Sequence, residues 1–153
     1  MGIAALLYTL KKQTAVLVDT NIVIYFLEDS PVFGAAAREV FQQIQDNEVK
    51  GYLSVITVTE LLVKPFKSGN EELKKNIRLL LDCFPILNTL DVIREIAIKA
   101  AEIRALTNLK TPDAILVATA SIHGCALIGN DLECSKKHLV VTYINFGQLI
   151  VPE

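Results

Sequence analysis

Four carboxylates stand where an α/β protein would use them for chemistry. Asp19 closes a β-prone run, Ala15-Val-Leu-Val18, and Asp131 follows a buried strand after Gly129 and Asn130. Glu60 falls in the first turn of a helix expected after a second strand, and Asp113 in the first turn of a long apolar helix. Open α/β sheets bind ligands in the crevice beyond the carboxyl ends of their strands, so this placement predicts that several of these acids converge. Acids gathered in one cleft repel each other, and protonation or a bound cation relieves the repulsion. A donor set of oxygens, without sulfur or imidazole, suits Mg²⁺ or Mn²⁺ rather than zinc. Such an ion can activate water and steady the charge on a phosphate in flight, so the chemistry expected is metal-dependent phosphoester hydrolysis. No Ser-His pair, Cys-His pair or phosphate-cradling glycine loop competes.

Each acid also has a local explanation. Asp19 and Asp131 could cap helices, and Thr57-Val-Thr-Glu60 matches a capping box in which Glu60 reaches back to the N-cap amide. Thr111-Pro112-Asp113 matches an N-cap, an N1 proline and an acid favoured by the helix dipole. Taken singly, capping accounts for every one of them. Convergence at one sheet edge is what capping does not predict.

The elements that must position these residues are legible from periodicity. Strands are expected at Ala15–Val18, Gly51–Ile56, Pro85–Asn88, Cys125–Ile128 and Leu139–Thr142. Between them lie helical patterns from Thr20 to Asp29, from Pro31 to about Asn47, and through Leu61, Leu62 and Val63 to about Pro65. Further helices are expected around Leu73, Ile77, Leu80 and Phe84, over Asp91–Thr107, and over Thr111–His123. Strands alternating with helices predict an α/β fold, a three-layer α/β/α sandwich around a central, mainly parallel sheet. Tyr25, Phe26, Phe33 and Phe41 fall at helical spacings that suit the core rather than a base-stacking platform.

Composition bounds the rest. The 153 residues, 52% hydrophobic with mean hydropathy +0.41, fit one compact domain and exclude a disordered chain. The longest uncharged stretch, Ala114 to Asn130, is broken by His123 and Gly124 and reads as a buried helix and strand rather than a membrane span. At the N-terminus Lys11 and Lys12 follow the apolar run, the reverse of a secretory signal, so a cytoplasmic location is expected. Cys83, Cys125 and Cys134 form no C-x-x-C, and His123 and His138 lack metal-ligand spacing. A net charge of −2 excludes a broadly basic nucleic-acid binder. Setting the four candidate acids aside leaves 15 basic against 13 acidic groups, which permits a nucleic-acid substrate.

Val18-Asp19-Thr20-Asn21, the segment from Ser54 to Leu61, Thr111-Pro-Asp113-Ala and Gly129-Asn130-Asp131 together resemble a PIN domain, most nearly the VapC-type toxins. The resemblance covers about residues 15–150, a single PIN-like domain, and leaves residues 1–14 as an N-terminal extension in which Leu6, Leu7 and Leu10 could share a helix face. It implies a Mg²⁺/Mn²⁺-dependent endoribonuclease, with Asp19, Glu60, Asp113 and Asp131 as catalytic and metal-binding acids. Asn21 and Asn130 would be supporting polar neighbours. It also implies an RNA substrate, a homodimer and a small antitoxin partner. Lys64, Lys67, Lys110, Lys136 and Lys137 are candidate phosphate contacts. One departure stands out: where the family often carries threonine or serine two residues before the last acid, this chain has Gly129. The missing hydroxyl motivates an alternative, a non-catalytic RNA-binding or regulatory module on the same fold. An aspartyl-phosphate hydrolase is disfavoured, because Asp19-Thr-Asn21 lacks the second aspartate that chemistry uses.

Overall fold

A computed structural model of the chain describes residues 2–84, 87–136 and 140–150. Helix α1 (Gly2–Lys11) leads into β1 (Ala15–Val18), followed by α2 (Thr20–Leu27) and α3 (Gly34–Gln45). Next come β2 (Lys50–Ser54), α4 (Val55–Ser68), α5 (Glu71–Cys83) and β3 (Leu87–Leu90). Two long helices, α6 (Arg94–Thr107) and α7 (Thr111–His123), precede β4 (Ala126–Gly129). The last described elements are α8 (Leu132–Lys136), β5 (Tyr143–Asn145) and α9 (Phe146–Ile150).

The five strands form one sheet in the order β3-β2-β1-β4-β5, and every neighbouring pair is parallel. Alternation along β1 divides the interior. Val16 and Val18 point into a core shared with α1, α2, α3, α4, α5 and α9, whereas Ala15 and Leu17 point into a second core under α6 and α7. The expected three-layer α/β/α sandwich is therefore present, with β1 and β4 buried along their whole length. Ahead of β1, α1 joins the first core through Leu6 and Leu10, both fully buried.

Strand order reverses direction between β1 and β4. From β1 the chain steps to β2 and β3 under α2 to α5, then crosses back by α6 and α7 to β4. That reversal is the topological switch point at which open α/β sheets place their ligand crevice. Asp19 leaves β1 there, its amide still bonded to the Ile128 carbonyl of β4 at 2.9 Å.

Several sequence expectations shift. Helix α4 does not stop near Pro65 but continues to Ser68 with Pro65 buried inside it, ending at Gly69 in the left-handed conformation. The last strand is Tyr143–Asn145, not Leu139–Thr142, because the pairing that completes the sheet is Leu127 with Tyr143 through Gly129 with Asn145. Leu139 lies outside the described residues, as do Pro85 and Ile86 of the strand expected at Pro85–Asn88; β3 itself runs to Leu90. Helix α6 begins at Arg94, three residues later than the pattern suggested. Among the described residues no helix is long and apolar enough to cross a membrane.

Candidate active site

The four predicted acids lie around the switch point, each delivered by a different segment. Asp113 and Asp131 bring carboxylate oxygens within 4.8 Å of each other and of the Cys134 sulfur, whereas Asp19 and Glu60 lie outside that tight group and are coupled to it by charge. Asp19 is the N-cap of α2, with extended backbone and a carboxylate that accepts the Thr20 amide at 2.6 Å. Capping does not remove it from the cleft. Its carboxyl is buried and repelled by Asp113, Glu60 and Asp131. Burial is the main cause, and the neighbouring charges add to it; together they outweigh the Thr20 amide and push the Asp19 carboxyl up to about 7.

Asp113 occupies the third position of α7, whose N-cap is Lys110 rather than Thr111, with Pro112 at the second position. Its carboxyl is raised by burial first, then by Asp131 and Glu60, against a lowering from Lys110. Asp131 leads into α8 and accepts the Glu133 amide at 2.8 Å. An open cleft lined by Leu109, Lys110, Asp113, Asp131 and Glu133 gives solvent access to this side.

Glu60 departs from its expected setting. Ser54, not Thr57, caps α4 by accepting the Ile56 amide at 3.2 Å, so Glu60 falls in the second turn and no capping box forms. Thr57 is instead fully buried inside the helix. The Thr20 hydroxyl donates to Glu60 Oε1 at 3.2 Å and lies 3.3 Å from the Thr57 hydroxyl. With the capping explanation gone, the contact of Glu60 is with the start of α2, through the Thr20 hydroxyl.

The two asparagines part company. Asn130 uses both ends of its carboxamide on the chain, donating to the Tyr25 hydroxyl at 3.0 Å and accepting the Gly147 amide at 2.9 Å. It braces the turn after β4. Gly147 is required for that approach, since a Cβ there would lie 2.6 Å from Asn130 Oδ1. Asn21 stands half-buried at the second position of α2.

Three neighbours escaped the sequence reading. Tyr143 brings its hydroxyl to the Asp131 amide, which donates to it at 2.9 Å. Asn145 donates to the Asp131 carbonyl at 3.3 Å and accepts the Gln148 amide at 3.0 Å. Cys134 is buried with its sulfur within 4.8 Å of carboxylate oxygens of Asp113 and Asp131. Burial, then the charges of Asp131, Asp113 and Asp19, push the Cys134 thiol up to about 12, so it is a neutral thiol and not a thiolate. The signal that points to Tyr143 and Asn145 is the alternation Tyr-Ile-Asn, which the more β-prone Val-Val-Thr before it outweighs.

The donor chemistry fits a hard divalent cation. Asp113 and Asp131 approach within 4.8 Å beside Lys110, and the Cys134 sulfur lies within the same 4.8 Å. Glu60 and Asp19 act on this pair or are acted on by it through charge, and Asp19 and Asp113 are held above their ordinary pKa. Oxygen donors of this kind match Mg²⁺ or Mn²⁺.

Known proteins carry the same arrangement of elements. The sequence matches the family model of the PIN domain over residues 16–137. No curated protein matches the chain in sequence. Among solved structures, a toxin–antitoxin complex from Klebsiella pneumoniae aligns with a TM-score of 0.62 at 24% identity, covering 86% of this chain and 97% of that one. VapBC2 from Rickettsia felis, bound to a DNA fragment from its promoter, aligns at 0.71 and 17%, covering 86% and 98%. Mycobacterium tuberculosis VapC20, a sarcin–ricin loop cleaving toxin, aligns at 0.64 and 12%, covering 82% and 96%. At these identities the likeness establishes a shared fold. Together with a family match that takes in β1 through β4 and Asp19, Glu60, Asp113 and Asp131, it makes the chain a member of the PIN-domain family.

Proposed function

We propose that the chain is a Mg²⁺- or Mn²⁺-dependent endoribonuclease, the toxin component of a toxin–antitoxin pair, acting as a homodimer. One observation carries the reading: a buried carboxyl, Asp19, faces three further carboxylates at the switch point and is held near pH 7. A fold without a ligand there would gain by replacing such an acid with a neutral residue. Asp19, Asp113 and Asp131 would hold the cation, with Glu60 as a further ligand or the orienter of the attacking water. When bound, the ion supplies charge neutralisation at the scissile phosphate and acidifies its water. Glu60 commits Oε1 to Thr20, which leaves Oε2 to accept a proton from water lined up behind the phosphorus. Lys110, in the cleft beside Asp113, would meet a flanking phosphate, and Lys67 near the end of α4 would add a further contact; Lys64 pairs with Glu28 at 3.7 Å. Lys137 lies outside the described residues, and the Lys136 side chain is not described.

The catalytic unit would span residues 15–150, with residues 1–14 adding α1. For an antitoxin, support comes from the solved complexes and from an apolar groove that borders Glu60, lined by Ile24, Leu27, Leu61, Pro65 and Ile77. The test is incubation of structured RNAs with the pure protein, with and without Mn²⁺, beside Asp19→Asn. Metal-dependent cleavage lost in the variant is expected. Mn²⁺ binding without any cleavage would favour the non-catalytic RNA-binding or regulatory module.

A further inference from the structure

The end of β4 is a glycine for a reason that lies across the sheet. A Cβ on Gly129 would sit 2.7 Å from the Tyr143 hydroxyl, 3.0 Å from Asp19 Oδ2 and 3.2 Å from Asp19 Cβ. The space between the end of β1 and the end of β4 is therefore already filled, by a hydroxyl that arrives from β5. Tyr143 pairs with Leu127, two residues before Gly129, so its side chain must lean along the strand to reach the carboxyl end. Its ring packs on the core beneath α6 and α7, which anchors it at a length fixed by the phenol. At the tip, the oxygen accepts the Asp131 amide at 2.9 Å. The Asp19 carboxylate borders the same position, 3.0 Å from that Cβ, so hydroxyl and carboxylate flank one space from opposite sides.

We propose that Tyr143 is a positioning residue of the candidate metal site: it fixes the main chain of Asp131 against the carboxylate of Asp19, and Gly129 is the partner that makes room for it. The hydroxyl sets the separation of two proposed ligands that come from different strands. Without it, Asp131 depends on Asn145 and its own cap at Glu133 to hold its place. This inference rests on the metal reading of the acids above.

The test measures Mn²⁺ affinity of the full chain by electron paramagnetic resonance, which needs no RNA. Wild type is compared with Tyr143→Phe, Gly129→Ala and the double variant Gly129→Ser with Tyr143→Phe, each checked by circular dichroism and its metal-free melting temperature. Tyr143→Phe is expected to weaken Mn²⁺ binding by about 10- to 100-fold, the range for groups that orient a ligand, while keeping the fold. Gly129→Ala should weaken it at least as much although the tyrosine is intact, because its methyl enters the hydroxyl's place and also presses on the Asp19 carboxylate. The double variant should recover to within about tenfold of wild type, a serine hydroxyl now growing into the vacated space from β4. Wild-type affinity in Tyr143→Phe overturns the inference while leaving the metal site standing. Should that variant misfold, wild-type affinity in Gly129→Ala overturns it equally. A wild-type chain that binds no Mn²⁺ overturns the metal reading, and this inference with it.

Discussion

On the β4–β5 side of the cleft, the loop that carries Asp131 is held by several hydrogen bonds. Tyr143 takes the Asp131 amide, Asn145 donates to its carbonyl, and Asn130 bridges Tyr25 and Gly147. On the α4 side, Glu60 is exposed and held through the single hydroxyl of Thr20. Asp19 stands between them, buried and capping α2. The difference teaches how one cleft can combine two needs. Groups meant to hold a cation gain from a fixed geometry, because no reorganisation is then required on binding. A group that meets water and substrate gains from remaining solvated and adjustable.

Removing the charge between the two halves gives the largest effect. In the unfolded chain the Asp19 carboxyl titrates near 3.8, whereas folding raises it to about 7. Between those values the folded state binds more protons than the unfolded one, so this group's stabilisation is present below about pH 4 and lost as pH rises through 7. The full swing is on the order of 4 kcal/mol. Asp19→Asn should flatten that part of the metal-free stability–pH curve and leave the variant more stable than wild type at pH 8, while abolishing the stabilisation by Mn²⁺. Wild-type Mn²⁺ affinity should climb with pH up to about 7, as binding must displace the Asp19 proton. Parallel stability curves for the two chains between pH 4 and 8 would remove Asp19 as the strained acid.

Next in size is the brace itself. Asn130→Ala leaves the Gly147 amide and the Tyr25 hydroxyl without the bonds they make to its carboxamide. The expected cost is about 1–3 kcal/mol in urea unfolding, with weakened metal binding because the Asp131 loop loosens. An unchanged midpoint would mean that this side is no more tightly held than the other.

Most of what fixes the acids was legible in the sequence, and what was missed has a common physical cause. Asp19 and Asp131 follow strands whose apolar runs are buried on both faces, a signal that periodicity reports directly. Asp113 was read in the right turn although the cap shifted to Lys110, since an N-terminal proline marks the start to within a residue. Thr57-Val-Thr-Glu60 misled because a capping box is a local pattern, whereas Ser54 won the cap by standing at the end of β2. Tyr143, Asn145 and Cys134 act across the sheet or between elements, and their partners are set by a register that no local window contains. The acids of the cleft were written in motifs, and the braces of its β4–β5 side in the topology.

A smaller effect is expected where the adjustable half meets the buried one. Thr20→Val keeps the shape of a nearly buried side chain but removes the hydroxyl that Glu60 and Thr57 share. Glu60 can turn to water, so only the Thr57 side is left short of a partner, and the cost should be about 0.5–1.5 kcal/mol. Mn²⁺ affinity should change less than in Asn130→Ala. A larger loss of metal binding than that variant shows would reverse the contrast between the two sides.

Glu60→Gln should have the smallest effect on stability of all, and it discriminates best. The side chain is exposed and the amide can still accept the Thr20 hydroxyl, so urea unfolding should differ from wild type by no more than about 0.5 kcal/mol. On the proposed mechanism, however, the carboxylate takes a proton from the attacking water, and a neutral amide does not. Cleavage should therefore fall by about 100-fold or more. The accompanying loss of Mn²⁺ affinity should be much smaller than in Asp19→Asn, because Glu60 is the acid least confined by the fold. Normal cleavage by Glu60→Gln would show that the α4 side contributes no proton acceptor, and the cleft would then be a cation site with a single working wall. Lost cleavage with intact stability and near-normal metal binding would separate holding the ion from using it, which is the division of labour that the two unequal sides of the cleft imply.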